Sequence, residues 1–291
     1  MNSNKNIPDQ DTLEQLEFFK KVEVPFSKTK EDLWDKLSQK LDHKESNKPK
    51  GKLISMSWYK VTAAVIIILL GITSFTKLYT TTITTQKGEH LSHILPDQSV
   101  IELNAASAIS YHPYWWSFNR TITLEGEAFF EVKKGSKFTV TSSNGSTEVL
   151  GTSFNIYARN TEYSVFCKTG KVKVCNNDSS IKLSLKPNEM AILDKVNSTG
   201  KIKLVSLDNI TSWRSDEFRF EATPLKEVME DIQIQYNVNI ILDVDHPETL
   251  IYSGRFMKNK NVDVTLELIC LSLNLNFTSQ GKNNYKISTN N

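Results

Sequence analysis

The chain has 291 residues, a net charge of +2 built from 35 basic and 33 acidic side chains, and three cysteines. That length admits two or three compact units. Charges of both signs are interspersed, which gives no nucleic-acid surface, and three scattered cysteines give no disulfide framework.

The first predicted helix covers Asp11 to Val22, where Leu13, Leu16, Phe19 and Val22 recur at helical spacing before Pro25 ends it. In the second, Thr29 is the cap, Asp32 stands three residues on, and Glu31 and Asp32 suit the positive end of the helix dipole. Leu33, Leu37 and Leu41 repeat every four residues with Trp34 beside Leu33, and polar residues fill the opposite face. Two short helices bury too little apolar surface to fold firmly alone. Either they pack on each other as a hairpin, or Leu33, Trp34, Leu37 and Leu41 dock into a groove of a partner, with folding coupled to binding. Ser46 to Lys52 reads as a flexible basic tether.

Val61 to Thr76 is free of charge and is bracketed by Lys60 and Lys77. As a helix it covers roughly 24 Å, and from Trp58 to Tyr79 about 33 Å, against a hydrocarbon core of roughly 30 Å. Both lysines can snorkel, and Trp58, Tyr59, Phe75 and Tyr79 suit the two interfaces. The segment lies too far into the chain for a signal peptide and no small-residue cleavage site follows. The alternative is a buried helix of a soluble domain. Lys44, Lys48, Lys50, Lys52 and Lys60 precede the span, whereas Lys77 and Lys87 alone follow it over a similar distance. This bias predicts a cytoplasmic N-terminus. The expected division is residues 1–57 inside, a transmembrane helix over 58–79, an all-β domain over 80–207 and an α+β domain over 213–291. Gly71, Thr73 and Ser74 are small or polar residues that weaken a membrane helix.

Beyond the span the pattern turns to period two. Ile122, Leu124, Gly126, Ala128, Phe130 and Val132 share one face of one or two strands, and Thr123, Glu125, Glu127, Phe129 and Glu131 share the other. Gly126 marks a bend or bulge. Further short apolar alternations, separated by Gly, Asn, Asp and Pro turns, predict a sandwich or solenoid-like roll. Cys167 and Cys175 flank an expected hairpin turning near Thr169-Gly170. They are offset from the turn, and a disulfide between them is left open. His90 and His93 lack a ligand cluster, so no metal site is expected. Glu125, Glu127 and Glu131 read as a solvated strand face, with no nucleophile motif and no phosphate-cradling loop nearby.

The last region has a βα pattern. Phe218 and Phe220 lie on a strand, Thr223 caps, Pro224 opens a helix, and Leu225, Val228, Met229, Ile232 and Tyr236 form its apolar face. Asn237 ends the helix in the left-handed conformation and a strand follows over Val238 to Leu242. A weaker copy runs through a strand near Tyr252 to Phe256, Asn261 as cap, a helix through Leu266, Ile269 and Leu273, and two final strands. Two βαβ-like copies make a small α+β domain, with Cys270 in its core.

The runs LPDQSVIELNAASAISYHP, RTITLEGEAFFEV, FTVTSS, VLGTSFNIYA, TGKVKV and LKPNEMAIL, in that order behind one span, resemble the FecR-like family of single-pass regulators of extracytoplasmic-function (ECF) sigma factors. Leu95-Pro96-Asp97, Leu103-Asn104, Arg120, Leu124-Glu125-Gly126-Glu127-Ala128, Phe130, Val132 and Gly151-Thr152-Ser153-Phe154 match. Gln98 departs from the family's usual glycine. The short inner segment PFSKTKEDLW is similar to that of Bacteroidetes members. The resemblance implies an anti-sigma factor in the inner membrane, with an ECF sigma factor bound inside. Outside, it implies the signalling domain of an outer-membrane TonB-dependent receptor bound by the C-terminal domain, which is similar to the short N-terminal module of secretins and such receptors. Membrane-embedded and periplasmic proteases would release the inner fragment, and no cofactor is implied. It also raises self-cleavage: the Thr152 hydroxyl attacks the Gly151 carbonyl in an N-to-O acyl shift, leaving an ester that water opens, with His90, His93 or His112 as candidate bases. A glycine bulge entering a strand is the simpler account of Gly151-Thr152. A membrane-anchored, wall-binding β-protein is a third alternative, one that leaves the inner helix unexplained.

Overall fold

The computed structural model describes residues 15, 17, 18, 20, 21, 29–42, 58–194, 199–206 and 210–290. The chain forms two units, residues 1–65 and 66–291. In the first, α1 is Lys30–Asp42. Of the expected Asp11–Val22 helix, residues 15, 17, 18, 20 and 21 are helical. Leu13, Leu16, Phe19, Val22, Pro25 and the tether lie outside the described residues.

Helix α2, Trp58–Leu78, has 21 residues, and its most apolar window has a mean hydropathy of 2.1. None of its residues is buried, and among the described residues it is the one helix long and apolar enough to cross a membrane. Thr73 turns its hydroxyl back to the Leu69 carbonyl at 2.9 Å, which satisfies it inside an apolar helix.

A β-lobe follows. Its strands are β1 Thr81–Thr85, β2 Leu91–Ile94, β3 Val100–Leu103, β4 Ser107–Tyr111, β5 Arg120–Glu131, β6 Phe138–Thr141, β7 Ser146–Val149, β8 Ser153–Arg159, β9 Glu162–Thr169, β10 Val172–Cys175, β11 Lys182–Leu185, β12 Glu189–Asp194 and β13 Thr199–Leu204. The alternation around Gly126 is a single strand of 12 residues that serves two sheets. Its first half joins β1-β4-β5-β6-β7-β10-β11 and its second half joins β2-β3-β5-β8-β9-β12-β13. The crossing point is Gly126, with φ +98°, where a Cβ would stand 2.5 Å from Ser107 Oγ. Only glycine allows this bend and this approach together. Between the sheets lie Ile109, Ile122, Phe130, Phe138, Phe154 and Val165, all fully buried, with Phe130 and Phe154 stacked at 5.0 Å. Arg120 pairs with Asp97 below this core and donates to the Ser136 and Lys133 carbonyls at 2.7 and 3.0 Å.

Two expectations change here. β9 and β10 do not form a hairpin: β9 pairs with β8 and β12, while β10 pairs with β7 and β11. The Thr169-Gly170 corner carries the chain from one sheet to the other, so Cys167 and Cys175 sit in different sheets, both buried and free. The odd-numbered face of β5 is also not uniformly solvated. Glu125 and Glu131 are exposed, Glu127 is half-buried and Phe129 is fully buried. Gln98 holds φ +65° and donates its N–H to the Leu95 carbonyl at 2.9 Å. The turn that glycine would make is retained with a side chain present.

The C-terminal lobe contains β14 Glu217–Pro224, α3 Leu225–Tyr236, β15 Asn239–Asp243, β16 Ile251–Met257, α4 Val262–Ser272, β17 Leu275–Ser279 and β18 Asn284–Thr289. The chain runs strand–helix–strand twice, but the strands of each run divide between two sheets. β14 pairs with β16, and β15-β18-β17 form the other sheet, with β15 and β18 parallel. Leu225, Met229, Ile232, Leu266, Ile269 and Ile287 fill the core between them, with Cys270 beside them. Asn237 ends α3 at φ 54° and the Asn261 side chain caps α4 on Asp263 N. Thr223 does not cap α3. Its hydroxyl donates to the Glu221 carbonyl, and Pro224, which has no side-chain donor or acceptor, occupies the cap position.

Candidate functional site

Helix α1 is capped at its start and carries charges suited to its dipole at both ends. Asp32 accepts from the Thr29 hydroxyl at 2.8 Å and from the Thr29 N–H at 3.4 Å, the reciprocal half of a capping box. Glu31 and Asp32 occupy its first turn and Lys40 its last, both favourable to the dipole. Leu33, Trp34, Leu37 and Leu41 are 44%, 73%, 53% and 60% exposed. A 13-residue helix is marginal alone in water, and such a stripe gains roughly 1.5–3 kcal/mol per large side chain that a partner buries.

Gly151 and Thr152 lie at the corner entering β8. Gly151 has φ +153° and an added Cβ would meet Lys134 Cα at 2.6 Å. Thr152 is buried. Its carbonyl accepts from Val132 N at 2.9 Å, and its hydroxyl has no hydrogen-bond partner. The three histidines are engaged elsewhere: His90 with Gln235 at 3.0 Å, His93 with the Tyr111 hydroxyl at 2.9 Å, and His112 with the Tyr79 carbonyl at 3.0 Å. The structure therefore brings Gly151 and Thr152 together and brings none of these bases to them.

The junction of the β-lobe and the C-terminal lobe is a further site. Arg214, in the 3₁₀ turn Ser212–Ser215, grips Glu102 of β3, with Nε 2.8 Å from Oε2. Its guanidinium lies 3.9 Å over the Phe129 ring, which explains why an odd position of β5 is buried. Gln235 of α3 donates to Asn104 Oδ1 at 2.7 Å. The Glu127 carboxylate accepts from Asn104 and Asn155, both at 2.8 Å. Burial raises the Glu127 pKa, and burial together with nearby Glu127 pushes Asp231 on α3 up to about 7. The sequence did carry part of this site: Glu227, Asp231 and Gln235 recur every four residues beside the apolar face of α3. Nothing local says what that stripe faces, because Glu127, Asn155 and Trp213 reach it through folding alone.

The family model described as "FecR protein" matches residues 81–173, and that described as "FecR, C-terminal" matches residues 217–287. No curated protein matches the chain. Two crystal structures, each of a candidate anti-sigma factor from Parabacteroides distasonis ATCC 8503, are similar to it. One is 28% identical with a TM-score of 0.67, and covers 73% of this chain and 100% of that one. The other is 29% identical with a TM-score of 0.66, and covers 72% of this chain and 100% of that one.

Proposed function

We propose that this chain, which belongs to the FecR family, is a single-pass inner-membrane anti-sigma factor that holds an ECF sigma factor through α1. The observation that carries this reading is the capped helix with its bare stripe Leu33, Trp34, Leu37 and Leu41, joined through an apolar helix to the two matched lobes. The N-terminus lies in the cytoplasm, where lysines precede the span. The two lobes lie in the periplasm and receive the signalling domain of a TonB-dependent receptor. An edge of the β15-β18-β17 sheet offers unpaired backbone groups to a partner strand.

A lone helix transmits a small conformational change poorly through a fluid bilayer, since no neighbouring helix gives it a reference. Sequential proteolysis, first of the periplasmic part and then of α2, avoids that difficulty and frees the sigma-bound fragment. The test is co-purification of the full-length protein in detergent with the sigma factor encoded beside it. Leu33→Asp and Leu37→Asp should each abolish the complex and release sigma-dependent transcription. Retention of both the complex and repression in the two variants would refute the assignment of α1.

A second reading concerns Gly151-Thr152. The buried, unpartnered Thr152 hydroxyl beside a glycine pressed against Lys134 supports an N-to-O acyl shift to an ester that water then opens, although none of the candidate bases stands beside it. Thr152→Ala should then remove a cleaved pair of bands, and identical full-length bands for variant and wild type exclude it.

A further inference from the structure

A cleft of about 340 Å³ opens between the odd-numbered face of β5 and helix α3. Seven carboxylates line it against two bases, Arg219 and Lys258. Arg219 lies 3.4 Å from Glu217, and Lys258 sits over the Tyr236 ring. Arg159, close enough to influence Glu127 and Asp231, donates to the Ala106 and Ala105 carbonyls at 2.8 and 2.6 Å. Nearby bases are therefore engaged, while Glu127 and Asp231 press on each other and on Glu227 and Glu230 at the mouth.

One acceptor in the lining is unfinished. Asn155 is 2% exposed and its Nδ2 is fixed on Glu127 Oε1, yet its Oδ1 has no donor. Trp213 is 9% exposed and directs its indole N–H toward the Glu127 carboxylate, whose charged form it favours. An acceptor left bare in such a place costs about 1–3 kcal/mol, so the cleft is complete only with a donor in it. No three of the described carboxylates, histidines or cysteines converge as metal ligands. A donor with a positive charge, several N–H bonds and no acceptor fits instead, and that is an organic ammonium group.

We propose that this cleft binds an organic ammonium group, the end of a free amine or of a lysine side chain, on Asn155 Oδ1 and the Glu127 and Asp231 carboxylates. The Tyr157 and Trp213 rings also line the cleft and add aromatic faces suited to a cation. Because Asn155 and Glu127 belong to the β-lobe and Asp231 to α3, an occupant ties the two lobes together.

The test titrates full-length protein in detergent at pH 8 and constant ionic strength with 1,4-diaminobutane, with spermidine, and with an end-capped Gly-Lys-Gly peptide. Tryptophan fluorescence and melting temperature are followed. The expected result is saturation by at least one probe with a Kd at or below about 1 mM, weakened about tenfold by Asp231→Asn, with the fluorescence change lost in Trp213→Phe. Saturation by the amines alone assigns a free amine, and saturation by the peptide assigns a lysine side chain of a polypeptide partner. Glu162→Gln, at the exposed rim, repeats the test at a position whose loss leaves the fold intact. No saturation by any probe, or equal affinity in wild type and both carboxylate variants, overturns the proposal.

Discussion

Helix α1 and the cleft behind β5 are incomplete in opposite ways. In α1 the cap and charges are in place and the apolar stripe is bare, so what is missing is apolar surface. In the cleft the apolar packing is finished and polar groups lack partners, so what is missing is a charge and its N–H donors. The first kind of gap costs little while exposed and yields affinity when covered. The second is a standing cost to the folded unit, recovered only when the right group arrives. The two gaps thus differ in where the instability is kept.

The largest expected effect breaks the comparison on the α1 side. Leu37→Asp should weaken sigma-factor binding by about 100-fold or more, since it removes one buried anchor and places a carboxylate in an apolar groove. It should leave the melting temperature of the protein unchanged, because Leu37 is exposed. Pull-down and calorimetry on the same sample check both halves.

Next in size is the loss of the clamp between the 3₁₀ turn and β3. Arg214→Ala removes the pairing with Glu102 and the guanidinium over Phe129 together. It should lower the melting temperature by about 4–8 °C, on the order of 2 kcal/mol for a unit of this size. A change under 1 °C by differential scanning calorimetry would mean that the lobes do not depend on this contact.

A pH series sharpens the contrast. Asp231 is raised by burial first, then by Glu127, Glu227 and Glu230, against the opposing effect of Arg159, from its ordinary 3.8 to about 7. Tyr157 and Glu162 of the β-lobe also face this cluster. Between these two values the folded chain keeps a proton that the unfolded chain has lost, so stability declines as pH rises through the window and stays low above it. Asp231→Asn should therefore raise the melting temperature by about 3 °C at pH 8 and change it little at pH 4. An equal shift at both pH values would remove Asp231 as the source.

The smallest effect concerns Gln98, held at φ +65° in the turn after Asp97. Gln98→Gly should stabilise the β-lobe by about 1 kcal/mol, the cost of a side chain in the left-handed region. Equilibrium urea unfolding would read this, and no change in midpoint would show that the turn carries no strain.

Local chemistry was legible, the Thr223 cap excepted, and long-range placement was not. Thr29 with Asp32, Asn237 and Asn261 act within one turn of where they stand, and each does at its helix end what its side chain suggests. Gly126 announced a bend because only a missing Cβ tolerates it. Thr169-Gly170 announced a turn equally well, but a turn does not specify which sheet receives the next strand, and the hairpin expected there became a crossing between sheets. Glu127 looked like Glu125 and Glu131 because alternation reports a face and not what covers it. Its cover comes from Trp213 and Asp231, far along the chain.

Only Tyr79 and Thr80 separate the end of α2 from β1. So short a leash leaves almost no slack chain between the apolar helix and the β-lobe. β1 stands at the end of its sheet and is held there by the ladder Thr81↔Tyr111 to Thr85↔Ser107 with β4. Tension along the chain from α2 would load that ladder first. In mechanical terms β1 is a latch: its pairing with β4 sets how far the lobe yields to a pull on α2.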